Sequence, residues 1–195
     1  MIYTCVTNLK KISKNDFIIL NEMCNSSRAL YNSGLYELNQ YFNEHKKYLG
    51  FGKLDKLMKN HKSNPMYRYL PAQISQQILK RLDKNCVSFF KLLKMKNSGN
   101  YDKSINMPKF KKKNSKYNLI FQKQSFKIKN DKILLSISKY HKDKFKKKFI
   151  EIGLPSYIKD EKIKQIEIKP MRKFFKFFIV YEKDEIIEPK TKLEN

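Results

Sequence analysis

Ile2-Tyr3-Thr4-Cys5-Val6-Thr7-Asn8-Leu9 alternates apolar and polar residues with period two, which predicts a half-buried strand. Just beyond it the period changes. Ser13, with Asp16 three positions on, predicts a helix N-cap and capping box. After it Phe17, Leu20, Cys24, Ser27, Leu30 or Tyr31, Gly34 or Leu35, Leu38 and Phe42 recur every three to four residues. That spacing predicts one helix of about 28 residues, or two collinear ones, roughly 40 Å long. Asn25-Ser26-Ser27 and Gly34 are its weak points, because these residues favour helix poorly.

Leu49-Gly50-Phe51-Gly52 predicts a turn, and a short helix with Leu54, Leu57 and Met58 follows until Asn64-Pro65 breaks it. Pro71 suits the first turn of a further helix. Its apolar stripe is Ile74, Ile78, Leu82, Cys86, Phe89 and Leu93, with Lys80, Arg81, Lys84, Lys91 and Lys94 off it, and Asn97-Ser98-Gly99-Asn100 ends it. From Tyr117 the pattern is that of strands, at 118–122, 125–129, 132–138, 148–152, 163–169 and 174–181. Asn130-Asp131 is a two-residue hairpin turn. The fold class is therefore α+β. With the first strand, the six later ones predict a small barrel or strongly curled sheet, carrying an α-helical insertion after its first strand. Residues 1–12 and 104–184 form the β domain, 13–103 the helical insert, and 185–195 a linker tail.

Lys and Arg number 43 against 18 Asp and Glu, a formal charge of +25 on 195 residues. A surface so one-sided repels itself unless a polyanion neutralises it, and nucleic acid is the usual one. A Lys-rich surface arising from genome composition would raise Glu and Asp as well, and here they stay low. Rings sit beside the cations in Lys109-Phe110-Lys111-Lys112-Lys113, Lys144-Phe145-Lys146-Lys147-Lys148 and Arg172-Lys173-Phe174-Phe175-Lys176. Cations neutralise phosphates, and exposed rings stack on bases. Cys5, Cys24 and Cys86 form no metal or disulfide pattern and are expected as small buried hydrophobes. His45, His61 and His141 lack metal-ligand spacing. No membrane span, signal peptide, metal or cofactor is expected, and the chain fits a reducing cytoplasm.

Four segments together resemble a known family. Arg28-Ala29-Leu30-Tyr31-Asn32-Ser33-Gly34-Leu35-Tyr36 resembles the first-helix signature of the TnpB (OrfB) proteins of bacterial insertion sequences. Leu70-Pro71-Ala72-Gln73-Ile74-Ser75-Gln76-Gln77-Ile78-Leu79-Lys80-Arg81-Leu82-Asp83, continued by Phe89-Phe90, resembles their third-helix signature. Met107-Pro108-Lys109-Phe110-Lys111 resembles the entry to their strands, and Ile163-Lys164-Gln165-Ile166-Glu167-Ile168 the end of the same module. The resemblance implies a wedge-type β-barrel with a helical recognition insert. It also implies two partners: a transposon-derived guide RNA and double-stranded DNA with a short adjacent motif. Relatives of type V CRISPR effectors, these proteins cut with a RuvC nuclease half. This chain has no counterpart of that half's catalytic aspartates or zinc-finger cysteines, so it is expected to bind without cleaving.

By the same resemblance Gln76 matches a position that reads the adjacent motif, although a neighbouring lysine of the family is Ala72 here. Gln73 shares a helix face with Gln76, with Gln77 adjacent, and glutamine offers a donor and an acceptor to a base edge. The resemblance also implies that Phe51 and Asp55 fall near another DNA-facing segment, and that Gln122, Lys123 and Gln124 lie in a tight turn where the family approaches the motif duplex. The density of Lys109, Lys111, Lys112 and Lys113, and of Lys146, Lys147 and Lys148, points to phosphate binding. The alternatives are a nuclease-less RNA-guided DNA-binding repressor and a standalone basic RNA-binding protein with an OB-like barrel.

Overall fold

The computed structural model describes residues 1–9, 12–61 and 65–183. Asn64 of the expected helix break and the linker tail lie outside them. The elements run β1 (Ile2–Leu9), α1 (Lys14–His45), α2 (Phe51–Asn60), α3 (Ala72–Asn97), β2 (Leu119–Gln122), β3 (Phe126–Lys129), β4 (Lys132–Ser136), α4 (Lys139–Phe145), β5 (Phe149–Gly153), β6 (Lys162–Pro170) and β7 (Phe175–Glu182). Single 3-10 turns lie at Pro65–Tyr67, Lys123–Ser125 and Ser156–Ile158. The fold is α+β.

The capping box forms as its residue types dictate. Ser13 Oγ accepts from the Asp16 backbone N–H at 3.1 Å, and its hydroxyl donates to the Asp16 carboxylate at 2.8 Å. The helix it starts runs unbroken for 32 residues. Its expected weak points are docking points. Buried Ser27 donates to the Asn118 carbonyl at 3.0 Å, and the Tyr117 N–H donates to the Cys24 carbonyl at 3.2 Å. A Cβ on Gly34 would lie 2.9 Å from Leu79 Cδ2 and 3.2 Å from Leu82 Cδ2, so glycine is what lets α1 and α3 approach there.

On α3, Ile74, Ile78, Leu82 and Cys86 are buried, as their spacing requires. The stripe then leaves the core: Phe89 is half-buried and Leu93 exposed. One apolar core joins the helices to the strands, with Phe17 of α1 packed on Phe175 of β7 at 5.3 Å between ring centres.

The strands make two antiparallel sheets, ordered β1-β7-β6-β2 and β3-β4-β5. The first strand pairs with the last, Cys5 opposite Ile179. No ladder among the described residues closes the sheets into the expected barrel. The 3-10 turn at Lys123–Ser125 interrupts the chain between β2 and β3, and beyond Phe126 every residue of β3 is exposed, leaving it an edge. Asn130 and Asp131 both take the left-handed conformation (φ 50° and 56°) that a two-residue type I′ turn needs. The short helix α4 falls where no element was expected. Its N-cap is Ser138, whose side chain accepts from the His141 N–H. Among the described residues no helix is long and apolar enough to cross a membrane.

Candidate nucleic-acid interface

The expected DNA-facing residues separate into two groups. The first gathers where the start of α3 meets the turn at Lys123–Ser125. Gln73 donates from Nε2 to Gln124 Oε1 at 2.7 Å, bridging helix and turn. Gln122, at the end of β2, donates in the same way to Gln165 of β6, also at 2.7 Å. Gln77 lies one helical turn beyond Gln73, half-buried, and Lys123 is exposed beside Gln124. An amide has two N–H donors and an acceptor oxygen. The Gln73–Gln124 bond uses one donor and one acceptor, so both side chains keep polar capacity at the surface.

The second group is tied together through Tyr67. The Tyr67 hydroxyl donates to Asp55 Oδ1 at 2.8 Å, and Gln76 hydrogen-bonds the same hydroxyl. Burial and the Asp55 carboxylate hold that phenol's pKa well above its ordinary value, against the opposing effect of Gln76. Asp55 and Gln76 thus join α2, the turn at Pro65–Tyr67 and α3. Phe51 starts α2 half-buried against the core, with Lys80 Nζ 5.3 Å from its ring centre.

The basic runs divide in the same way. Lys109, Lys112, Lys113, Lys146 and Lys148 are exposed and meet no acidic partner among the described residues. Lys111 is held: its backbone exchanges two hydrogen bonds with the Asn32 side chain (2.8 and 2.9 Å). Its ammonium sits 5.0 Å from the Tyr31 ring and 5.2 Å from Tyr117, a cation–π contact with both. Lys147 is held as well, 2.7 Å from both carboxylate oxygens of buried Asp16. Between α3 and the segment carrying Lys109 and Lys111 runs a cleft of about 360 Å³, lined also by Asn85, Ser88 and Asn106.

His141, given no role by its spacing in the sequence, is buried and lines a separate cavity with Glu22 and Arg28. Only the fold brings these three together, so no local pattern could have marked them. No protein-family model matches the chain, and no curated protein matches it.

Proposed function

We propose that this chain is the nucleic-acid-recognition module of a TnpB-like, RNA-guided DNA-targeting protein. It binds a guide RNA and duplex DNA bearing a short adjacent motif, and does not cleave by itself. The observation that carries this reading is the Gln73–Gln124 bond, which places a helix and a turn of base-reading residue types on one surface of a chain with charge +25. Their remaining amide groups suit a base edge, which offers donors and acceptors in fixed patterns. The free lysines of the 109–113 run suit phosphates, which fix register without carrying sequence. Gln76 and Asp55 both bond Tyr67 and so tie α2 and the turn at Pro65–Tyr67 to the helix that carries Gln73.

The test is binding of structured RNA and of duplex DNA at rising salt. Affinity is expected to fall with an exponent near −0.9 per phosphate neutralised on duplex, about a thousandfold between 50 and 200 mM salt for six contacts. Gln73→Ala with Gln124→Ala should relax preference at particular base pairs, costing about 1–3 kcal/mol there. Lys112→Ala should weaken all sequences alike. A flat salt titration would overturn nucleic-acid binding. Equal losses on every sequence from both substitutions would make the glutamine surface a backbone contact.

A further inference from the structure

Of the strands that edge the two sheets, β1, β2, β3 and β5, all but one are protected. β2 is covered, with Leu119, Ile120 and Phe121 buried. β3 carries Lys127 and Lys129, and β5 carries Glu151. A charge on an edge strand discourages pairing with another chain, and a cover prevents it. β1 has neither. From Ile2 to Leu9 it holds no charged residue, in a chain where Asp, Glu, Lys and Arg make up 31% of the sequence. Ile2 is 70% exposed and Val6 54%, with Tyr3, Thr4 and Asn8 exposed as well.

The ladder to β7 fixes which backbone groups are free. The Met1 amino group donates to the Lys183 carbonyl at 2.9 Å, and the Lys183 N–H donates to the Met1 carbonyl at 3.1 Å. Residues of an antiparallel strand turn alternately toward one neighbour and away from it. The register runs unbroken from Ile2 opposite Glu182 to Leu9 opposite Phe175, so the odd-numbered residues bond β7. Ile2, Thr4, Val6 and Asn8 direct their N–H and C=O groups to the open edge. Their side chains share one face of the sheet, beside half-buried Val180 and Phe178 of β7, while Cys5 is buried on the other.

Such an edge takes another strand, and the pattern of β1 is its own complement. Laid antiparallel on a second β1, with Thr4 opposite the partner's Thr4, it sets Ile2 opposite the partner's Val6 and Val6 opposite the partner's Ile2. Each of these pairs exchanges two backbone hydrogen bonds. β-Branched side chains then meet each other and the threonines meet at the centre, both favourable cross-strand pairs. Met1 falls opposite the partner's Thr7, so no charge faces a like charge. Charge also favours this edge, because two copies at +25 repel and an uncharged strand lets them touch at least electrostatic cost.

We propose that β1 pairs with β1 of a second copy of this chain, antiparallel about a two-fold axis at Thr4, joining their four-stranded sheets into one. The contact uses both free β1 edges and stops at two copies. One strand on one strand is small against the roughly 1,600 Å² of a standard interface, so the dimer is weak and reversible. The proposal stands apart from the nucleic-acid reading.

The experiment is sedimentation velocity of the full chain, free of nucleic acid, at rising protein concentration and at about 0.1 and 1 M salt, where the Debye length falls from about 10 to about 3 Å. A monomer–dimer equilibrium is expected, about tenfold tighter at the higher salt because screening removes the repulsion between copies. Nucleic-acid binding moves the opposite way with salt. Val6→Lys places a cation beside the pair, and Thr4→Pro removes an outward N–H that bonds nothing in β7. Each should weaken the dimer about tenfold or more at high salt, with thermal melting to confirm the fold. Thr4→Cys should cross-link two copies under mild oxidation, since directly paired residues of this kind stand about 5.5 Å apart between Cα atoms. Asn8→Cys, beyond the paired segment, should not, and the chain's own cysteines are buried. A chain that stays monomeric at both salts, assembles beyond two copies, dimerises as well in Val6→Lys and Thr4→Pro as in wild type, or cross-links equally through both introduced cysteines overturns the proposal.

Discussion

Lys147 and Lys148 are neighbours in one basic run, yet their surroundings differ in kind. Lys147 lies over a carboxylate that is 3% exposed, while Lys148 is exposed and meets no acid partner among the described residues. Removing one partner of a buried pair leaves an uncompensated charge, whereas an exposed lysine contributes little to folding. Lys147→Ala is therefore expected to lower stability by about 1–3 kcal/mol in urea denaturation, less than a fully buried pair because the lysine is partly solvated. Lys148→Ala should leave stability within about 0.5 kcal/mol and reduce the salt slope of binding by about one phosphate. The reverse pattern would show that the two roles are misassigned. Residue chemistry set by near neighbours was legible: Ser13 with Asp16, and Asn130 with Asp131, behave as their types require. Partnerships across the chain were not. Asp16 and Lys147 stand 131 positions apart, Lys111 and Asn32 stand 79 apart, and no local pattern marks either pair.

At the scale of elements, periodicity located each described strand and the three long helices, most of which have a face to bury. It missed α4, a seven-residue helix whose signal is little more than a serine cap and a buried histidine. It left open whether α1 is one helix or two collinear ones, because low helix propensity at Asn25-Ser26-Ser27 and Gly34 marked weak points. Packing overrides propensity there: the serine bonds Asn118 and the glycine admits two leucines of α3. Gly34→Val should accordingly destabilise the chain by about 1–3 kcal/mol in chemical denaturation, even though glycine is itself a poor helix former. Gly52, on α2, has open space where a Cβ would stand, so Gly52→Ala should be neutral or stabilising, by up to about 1 kcal/mol. A Gly34→Val variant as stable as wild type would mean that α1 and α3 are less closely packed than the structure has them.

Across the whole molecule the few acids are dispersed, and the described ones that make close contacts meet cations, hydroxyls or amides. Asp16 is held by Lys147, Asp55 by Tyr67, Asp83 by Tyr48, Asp131 by Lys159 and Glu167 by Arg81. Among the described residues, no three His, Cys, Asp or Glu side chains come together in a group that would hold a metal ion. A chain with 43 cationic and 18 acidic residues spreads its acids thinly among lysines. Two-metal phosphodiester cleavage needs carboxylates converging on ions about 4 Å apart, and lysines hold phosphates without seating such ions. The closed barrel was less legible than the charge, because strand count fixes neither where a sheet breaks nor which edge is left open. Cleavage does not depend on that detail. Purified chain incubated with guide RNA, target duplex and Mg²⁺ or Mn²⁺ should retain nucleic acid uncut while still shifting it on a native gel. Cutting that disappeared when Asp16, Asp55, Asp83 or Asp131 was changed to Ala, in a variant that still folds, would reveal a catalytic group in this chain and replace the binding-only reading with an enzymatic one.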